Sequence, residues 1–170
     1  PDGKQLVSAS RDYTARLWDV GTGELVRSFQ GKNGFLVDVD FSPDGKQIAT
    51  ASSFRPFNVG GTFVTSDEPG EVNLWNLGTG EQLSSLKGHA SAILRTRFSP
   101  DGEYLVSASY DHTLKLWDVS TGRELSTFVG HTGEVISADF SPDSRRLVTA
   151  GRDDTVRFWN VATAKELLTV

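Results

Sequence analysis

The sequence predicts an all-β protein made from four copies of one small sheet. Three observations carry that expectation. The stretch Gly88-His89, Ile93, Phe98-Ser99-Pro100-Asp101-Gly102, Leu105-Val106-Ser107-Ala108-Ser109, Asp111 and Leu116-Trp117-Asp118 returns further on. Its second form is Gly130-His131, Val135, Phe140-Ser141-Pro142-Asp143, Leu147-Val148-Thr149-Ala150, Asp153 and Phe158-Trp159-Asn160. The offset is constant, Pro100 to Pro142 and Trp117 to Trp159, and a fixed period of about 40 residues means that one structural unit is being stacked. Short β-type segments alternate with Gly, Asp and Pro turns, and no stretch has helical periodicity.

The first repeat opens within a turn, Pro1-Asp2-Gly3, that recurs as Pro43-Asp44-Gly45 and Pro100-Asp101-Gly102. Strands are expected over 6–10, 15–20 and 25–29, divided by Arg11-Asp12-Tyr13-Thr14 and Gly21-Thr22-Gly23. The second repeat places strands over 36–41, 47–52, 72–77 and 82–86, and the third over 93–98, 104–109, 114–119 and 125–128. The fourth places them over 135–140, 146–150, 156–161 and 166–169. The first repeat therefore lacks its innermost strand. The second carries an insertion within 53–67, between its second and third strands, where Gly60-Gly61 reads as the turn of a small hairpin. Phe54, Phe57 and Phe63 make it too apolar for a purely solvated loop. Either it packs on a neighbouring sheet, or it is a flap presenting Phe54, Arg55, Phe57 and Phe63 to a partner, as long loops on rigid scaffolds often do.

Composition narrows the function classes. The hydrophobic fraction of 37% and charged fraction of 23% suit a globular chain. A net charge of −5 leaves no broad basic field for nucleic acid or an anionic membrane surface. No apolar run approaches the roughly 18 residues of a spanning helix. Cysteine is absent, which removes disulfides and thiolate metal sites and fits a reducing, cytoplasmic setting.

With Gly-His near the start of the third and fourth repeats and Trp-Asp or Trp-Asn at the end of all four, the chain resembles the WD-repeat family of β-propellers over essentially its whole length. That resemblance implies four consecutive blades, at 1–30 (incomplete), 31–87, 88–129 and 130–170. Such propellers usually close with about seven or eight blades, so the chain is expected to be part of a larger ring, or to close one with a second copy. An open lateral edge is an aggregation liability. The resemblance also implies a buried polar tetrad: Trp117, Ser107, Asp111 and His89 in the third repeat, and Trp159, Thr149, Asp153 and His131 in the fourth. The first repeat supplies Trp18, Ser8 and Asp12. Buried polar groups need partners, and these can satisfy one another in series. The second repeat departs, with Lys32 at the histidine position and Pro69 at the aspartate position. Thr50 and Trp75 are left without an evident relay, and this blade is expected to be the least stable.

Ser, His and Asp in series invite a hydrolase reading, but a triad needs an exposed nucleophile, room for a carbonyl and oxyanion donors. An arrangement repeated once per blade, with tryptophan as a partner, is scaffolding instead. His112 follows Asp111 in a tight turn and is expected to be exposed. The three histidines have no metal-ligand spacing, the Asp-Gly pairs are turn chemistry rather than calcium sites, and Gly21-Thr22-Gly23 and Gly78-Thr79-Gly80 are hairpin turns rather than phosphate loops. Neither metal nor cofactor is expected.

The resemblance places binding on the narrower face. Its positions are Arg11, Tyr110 and Arg152 before the turn aspartate, Phe35, Ala92 and Glu134 at the start of the first strand, and Val37, Leu94 and Ile136 two residues on. Arg and Tyr are favoured at interfaces, and a segment with acidic character would suit Arg11 and Arg152. The alternative is that Val37, Leu94 and Ile136 line the channel or pack between blades. The expected function is a non-catalytic scaffold for a protein or peptide, the sensor or regulatory part of a larger multidomain protein. The alternatives are an enzyme using channel residues, of which only the scattered Asp38, Arg95 and Glu134 are evident, and a structural piece of a large assembly.

Overall fold

The computed structural model describes residues 2–32, 34–53, 57–59, 62–64 and 69–170. Among these residues there are strands and turns but no helix, and so none long and apolar enough to cross a membrane. The first sheet contains β1 (Gln5–Ala9), β2 (Thr14–Asp19) and β3 (Leu25–Gln30). The second contains β4 (Phe35–Phe41), β5 (Gln47–Ser53), β8 (Val72–Asn76) and β9 (Gln82–Leu86), with β6 (Phe57–Val59) and β7 (Thr62–Val64) forming a separate hairpin within the insertion. The third is β10 (Ile93–Phe98), β11 (Tyr104–Ser109), β12 (Thr113–Asp118) and β13 (Glu124–Val129). The fourth is β14 (Val135–Phe140), β15 (Arg146–Gly151), β16 (Val156–Asn160) and β17 (Glu166–Thr169). Every sheet is an antiparallel meander in chain order. The hairpin pairs Asn58 with Phe63 and Val59 with Thr62, while Phe54 and Arg55 lie outside the described residues.

Turn chemistry fixes where the strands stop. Ser99 Oγ donates to the Asp101 carboxylate, which also accepts the Glu103 N–H at 3.1 Å, and Gly102 takes φ 77°. Ser42, Asp44 and Gly45 repeat the arrangement, with φ 68° at the glycine. A positive φ suits glycine because it has no Cβ. In the fourth sheet Ser144 occupies that position at φ 59°.

Each apolar core lies between two consecutive sheets. Leu17, Phe29, Leu36, Ile48 and Trp75 fill the first junction. Leu74, Leu86, Ile93, Leu105 and Trp117 fill the second, and Leu114, Leu116, Phe128, Leu147 and Trp159 the third. A sheet with two apolar faces must be covered twice. The four blades form an open arc, and the outer face of the fourth blade is uncovered. Val148, Val156 and Val170 are 36%, 37% and 73% exposed there, whereas their repeat equivalents Val106, Leu114 and Phe128 are at 0%.

That contrast makes the same repeat position unequal in energy. Leu114→Ala should cost about 2–5 kcal/mol, the range for opening a buried core. Val156→Ala should cost under about 1 kcal/mol. Urea denaturation of the two variants against the parent checks both values.

Candidate functional site

Strands β11 and β12, the turn between them and the loop leading into β10 build the polar centre of the third blade. The Trp117 indole on β12 donates to Ser107 Oγ on β11 at 2.8 Å. His89 reaches the same hydroxyl through Nε2 at 2.8 Å and Asp111 Oδ2 through Nδ1 at 2.8 Å. With Asp111 ionised, the tautomer that serves both contacts carries its proton on Nδ1, so Nε2 accepts from Ser107. Asp111 also accepts the Ala90 N–H at 2.9 Å and the Thr113 hydroxyl at 2.6 Å. The fourth blade repeats the chain, with Trp159 to Thr149 at 2.9 Å, His131 to Thr149 at 2.8 Å and His131 to Asp153 at 3.0 Å. In the first blade Trp18 donates to Ser8 at 3.0 Å, and Asp12 holds Thr14 and Arg16 instead of a histidine.

The side chains of His89 and His131 are fully buried, and Ser107 and Thr149 are buried behind them. No carbonyl can reach these hydroxyls, so the series is internal cross-bracing. His112, by contrast, is exposed at φ 70°.

The second blade solves the same problem differently. Trp75 still donates to Thr50 at 2.9 Å. With Pro69 in place of the turn aspartate, Glu71 supplies the buried carboxylate and accepts from Ser85 at 2.9 Å and Asn73 at 3.3 Å. Lys87 approaches it to 3.3 Å. Burial would raise the Glu71 carboxyl, but the donors Ser85, Asn73 and Lys87 hold it below its usual range. The blade thus has a polar centre that the repeat pattern does not reveal.

The inner strands also differ from the sequence expectation. Asp38 and Arg95 are not scattered: Arg95 Nη1 lies 3.2 Å and Arg97 Nη1 2.9 Å from the Asp38 carboxylate. Asp38 accepts the Thr96 N–H at 2.8 Å and Asp40 accepts the Phe98 N–H at 2.9 Å. Both carboxylates therefore satisfy the free edge of β10. Burial pushes the Asp40 carboxyl up, against the Phe98 N–H and the nearby Arg97 charge. Asp40 and Arg97 went unnoticed in the sequence because alternation along a strand gives no hint of its lateral neighbour.

On the face holding the Ser109–Asp111 turn, the expected contact positions sit at defined features. Val37, Leu94 and Ile136 are the residues skipped in the pairing of β4 with β5, β10 with β11 and β14 with β15. A bulge of this kind re-aims a side chain. Val37 packs into the junction between the second and third blades, while Ile136 is exposed and Leu94 half-buried. The Tyr110 N–H donates to Ala92 O and the Arg152 N–H to Glu134 O, both at 2.9 Å, so the turn and the strand start are pinned together. Ala92 itself is buried. Arg152 lies over the Tyr110 ring at 5.8 Å and 3.9 Å from Glu134 Oε1, which joins these three residues across the last two blades. Arg11 is exposed. Phe35 packs against Tyr13 in a tilted pair with ring centroids 5.2 Å apart. Tyr13 was missed in the sequence; its only signal is a place two residues after Arg11, the place that His112 occupies after Tyr110.

Comparison with known proteins agrees with this geometry. The family model described as WD domain, G-beta repeat matches residues 1–19, 23–76, 80–118 and 122–160. The chain belongs to the WD-repeat family. Among curated WD-repeat relatives and similar proteins, the nuclear distribution protein nudF of Aspergillus niger is 30% identical over 120 residues, covering 67% of this chain and 27% of that protein. The serine-threonine kinase receptor-associated protein of Gallus gallus is 32% identical over 139 residues, covering 67% and 39%. A WD repeat-containing protein of Schistosoma mansoni is 33% identical over 140 residues, covering 66% and 46%. The WD-repeat chain therefore spans about a quarter to a half of the relatives it matches.

Two predictions follow from the WD-repeat tetrads. Ser107→Ala strands a buried indole and a buried imidazole and should cost about 1–3 kcal/mol, whereas Ser8→Ala, beside the half-buried Trp18, should cost less. Chemical denaturation of both variants measures the difference. The second concerns acid. Burial acts to raise Asp111 and Asp153, but hydrogen bonds from His89 and Thr113, and from Thr132 and Thr155, hold both well below the usual carboxylate range. A depressed folded-state pKa contributes stability that is present above the unfolded value of about 4. It is lost as pH falls through the folded value. Stability should decline progressively below about pH 4, and Asp111→Asn should flatten that decline in a pH series of unfolding curves.

Proposed function

We propose that this chain is a non-catalytic protein-interaction scaffold that presents the Tyr110-Arg152 face to a protein or peptide segment. The observation that carries this reading is the cluster of Tyr110, Arg152 and Glu134 beside the exposed Ile136. It sets an aromatic ring, a guanidinium and an aliphatic side chain on turns pinned to rigid strands. Such residues are enriched at interface centres. Arg11, together with Tyr13 and Phe35, extends the same face at the other end of the arc. A partner with acidic side chains complements Arg11 and Arg152. The inserted hairpin leaves the second blade at the turn that holds these residues in the other blades, which supports its reading as a flap on this face.

A catalytic channel is the weaker reading, because Asp38 and Asp40 are engaged by backbone N–H groups and arginines of β10. The uncovered valines of the fourth blade support a further blade beside it, contributed by the same polypeptide or by a second copy. A sensor or regulatory part of a larger cytoplasmic protein fits the lack of cysteine and the share of its relatives that the chain spans.

Selection from a random peptide library tests the face. Enriched peptides should carry Asp or Glu, and the double variant Tyr110→Ala with Arg152→Ala should bind them about tenfold or more weakly while unfolding at the parent temperature. Undiminished binding by the double variant would contradict the assignment.

A further inference from the structure

At the junction of the first and second blades, the face that carries Arg11 holds an aromatic pair in a costly backbone conformation. Tyr13, in the turn between β1 and β2, takes φ 70° and is 42% exposed. Its ring meets Phe35, the first residue of β4, with the two planes tilted by 36°. Left-handed backbone disfavours a bulky L side chain. Glycine takes that conformation at Gly23, Gly45 and Gly102, and at the place of Tyr13 in the fourth blade the residue is Asp154, at φ 60°.

The scaffold does not require the ring. Backbone bonds set the turn: the Ser10 N–H donates to Thr14 O at 2.9 Å, the Gly31 N–H to Tyr13 O at 2.8 Å and the Leu36 N–H to Ser10 O at 3.2 Å. The junction beneath does not require it either. Between the third and fourth blades the same two places carry His112 and Glu134, yet Leu114, Val135 and Leu147 are buried there as fully as Leu17, Leu36 and Ile48 are at the first junction. A strained, exposed pair that neither the turn nor the packing calls for points to something that touches it.

We infer that Tyr13 and Phe35 form a subsite for a proline of the partner segment, with Arg11 pairing with an acidic side chain beside it. The inference rests on the reading of this face as the binding face. Two tilted rings offer apolar contact without a deep pocket, which is how aromatic-lined grooves take the polyproline conformation. A segment already extended loses little freedom on binding, so a shallow site suffices. Arg11 and Tyr13 flank Asp12, whose carboxylate is engaged by Arg16 at 2.6 Å. The exposed Arg11 guanidinium is thereby left for a carboxylate of the partner.

The test is a titration of the ¹⁵N-labelled chain with an octapeptide of alternating glutamate and proline, followed by amide chemical shifts. Counterparts with alanine for proline, and with lysine for glutamate, run beside it. The glutamate–proline peptide should move the amides of residues 11–14 and 35–36, and both counterparts should move them less. Tyr13→Asn suits the left-handed turn and removes the ring. It should weaken the response about tenfold without lowering the thermal unfolding midpoint, while Tyr13→Phe should keep the response. Equal responses to the three peptides, an undiminished response in Tyr13→Asn, or a lowered midpoint in that variant would overturn the subsite. Shifts confined to Tyr110 and Arg152 would overturn it and leave the face standing, whereas no shift at any of these residues would overturn both.

Discussion

The architecture depends on one constraint: a blade with two apolar faces is covered only by its neighbours. Leu114, Leu116 and Phe128 are buried in a cluster that the fourth blade completes with Val135, Ala138, Leu147 and Trp159, the last edge-on to the Phe128 ring. Stability in such a stack is a sum of unit terms and nearest-neighbour terms. The same constraint explains why identical repeat positions behave differently along the chain. It also explains why the fourth blade, made from the same pattern, presents valines to solvent.

Polar cross-bracing does a different job. The series Trp117, Ser107, His89 and Asp111 ties the two middle strands, β11 and β12, to the loop that leads into the blade. Because every member is satisfied, the loop start and the following turn are held in place, and Tyr110 inherits that rigidity. The proposed binding face therefore takes its rigidity from structural hydrogen bonding. Chemistry that looks catalytic in one dimension is bracing in three.

Much of the fold was legible in the sequence because the repeat fixes strand, turn and blade together. The strands of the blades and the β6–β7 pair lie where turn residues and β-type runs place them. The tetrads were legible because each residue stands at a constant offset from its tryptophan. Contacts between blades were not. Asp38 with Arg97, Arg27 with Gly78 and Tyr13 with Phe35 join residues whose separation in sequence follows no repeat rule. Glu71 was hidden for another reason: it sits two residues from the position the pattern assigns to the carboxylate, so its role emerges only when Ser85, Asn73 and Lys87 converge on it.

The central claim is that each blade is held by the one that covers it, and amide hydrogen exchange measures this strand by strand. The account predicts the slowest exchange in β5, β8 and β11, which are covered on both faces, and the fastest among core strands in β1, β16 and β17. Protection of β16 equal to that of β11 in the monomeric chain would contradict it.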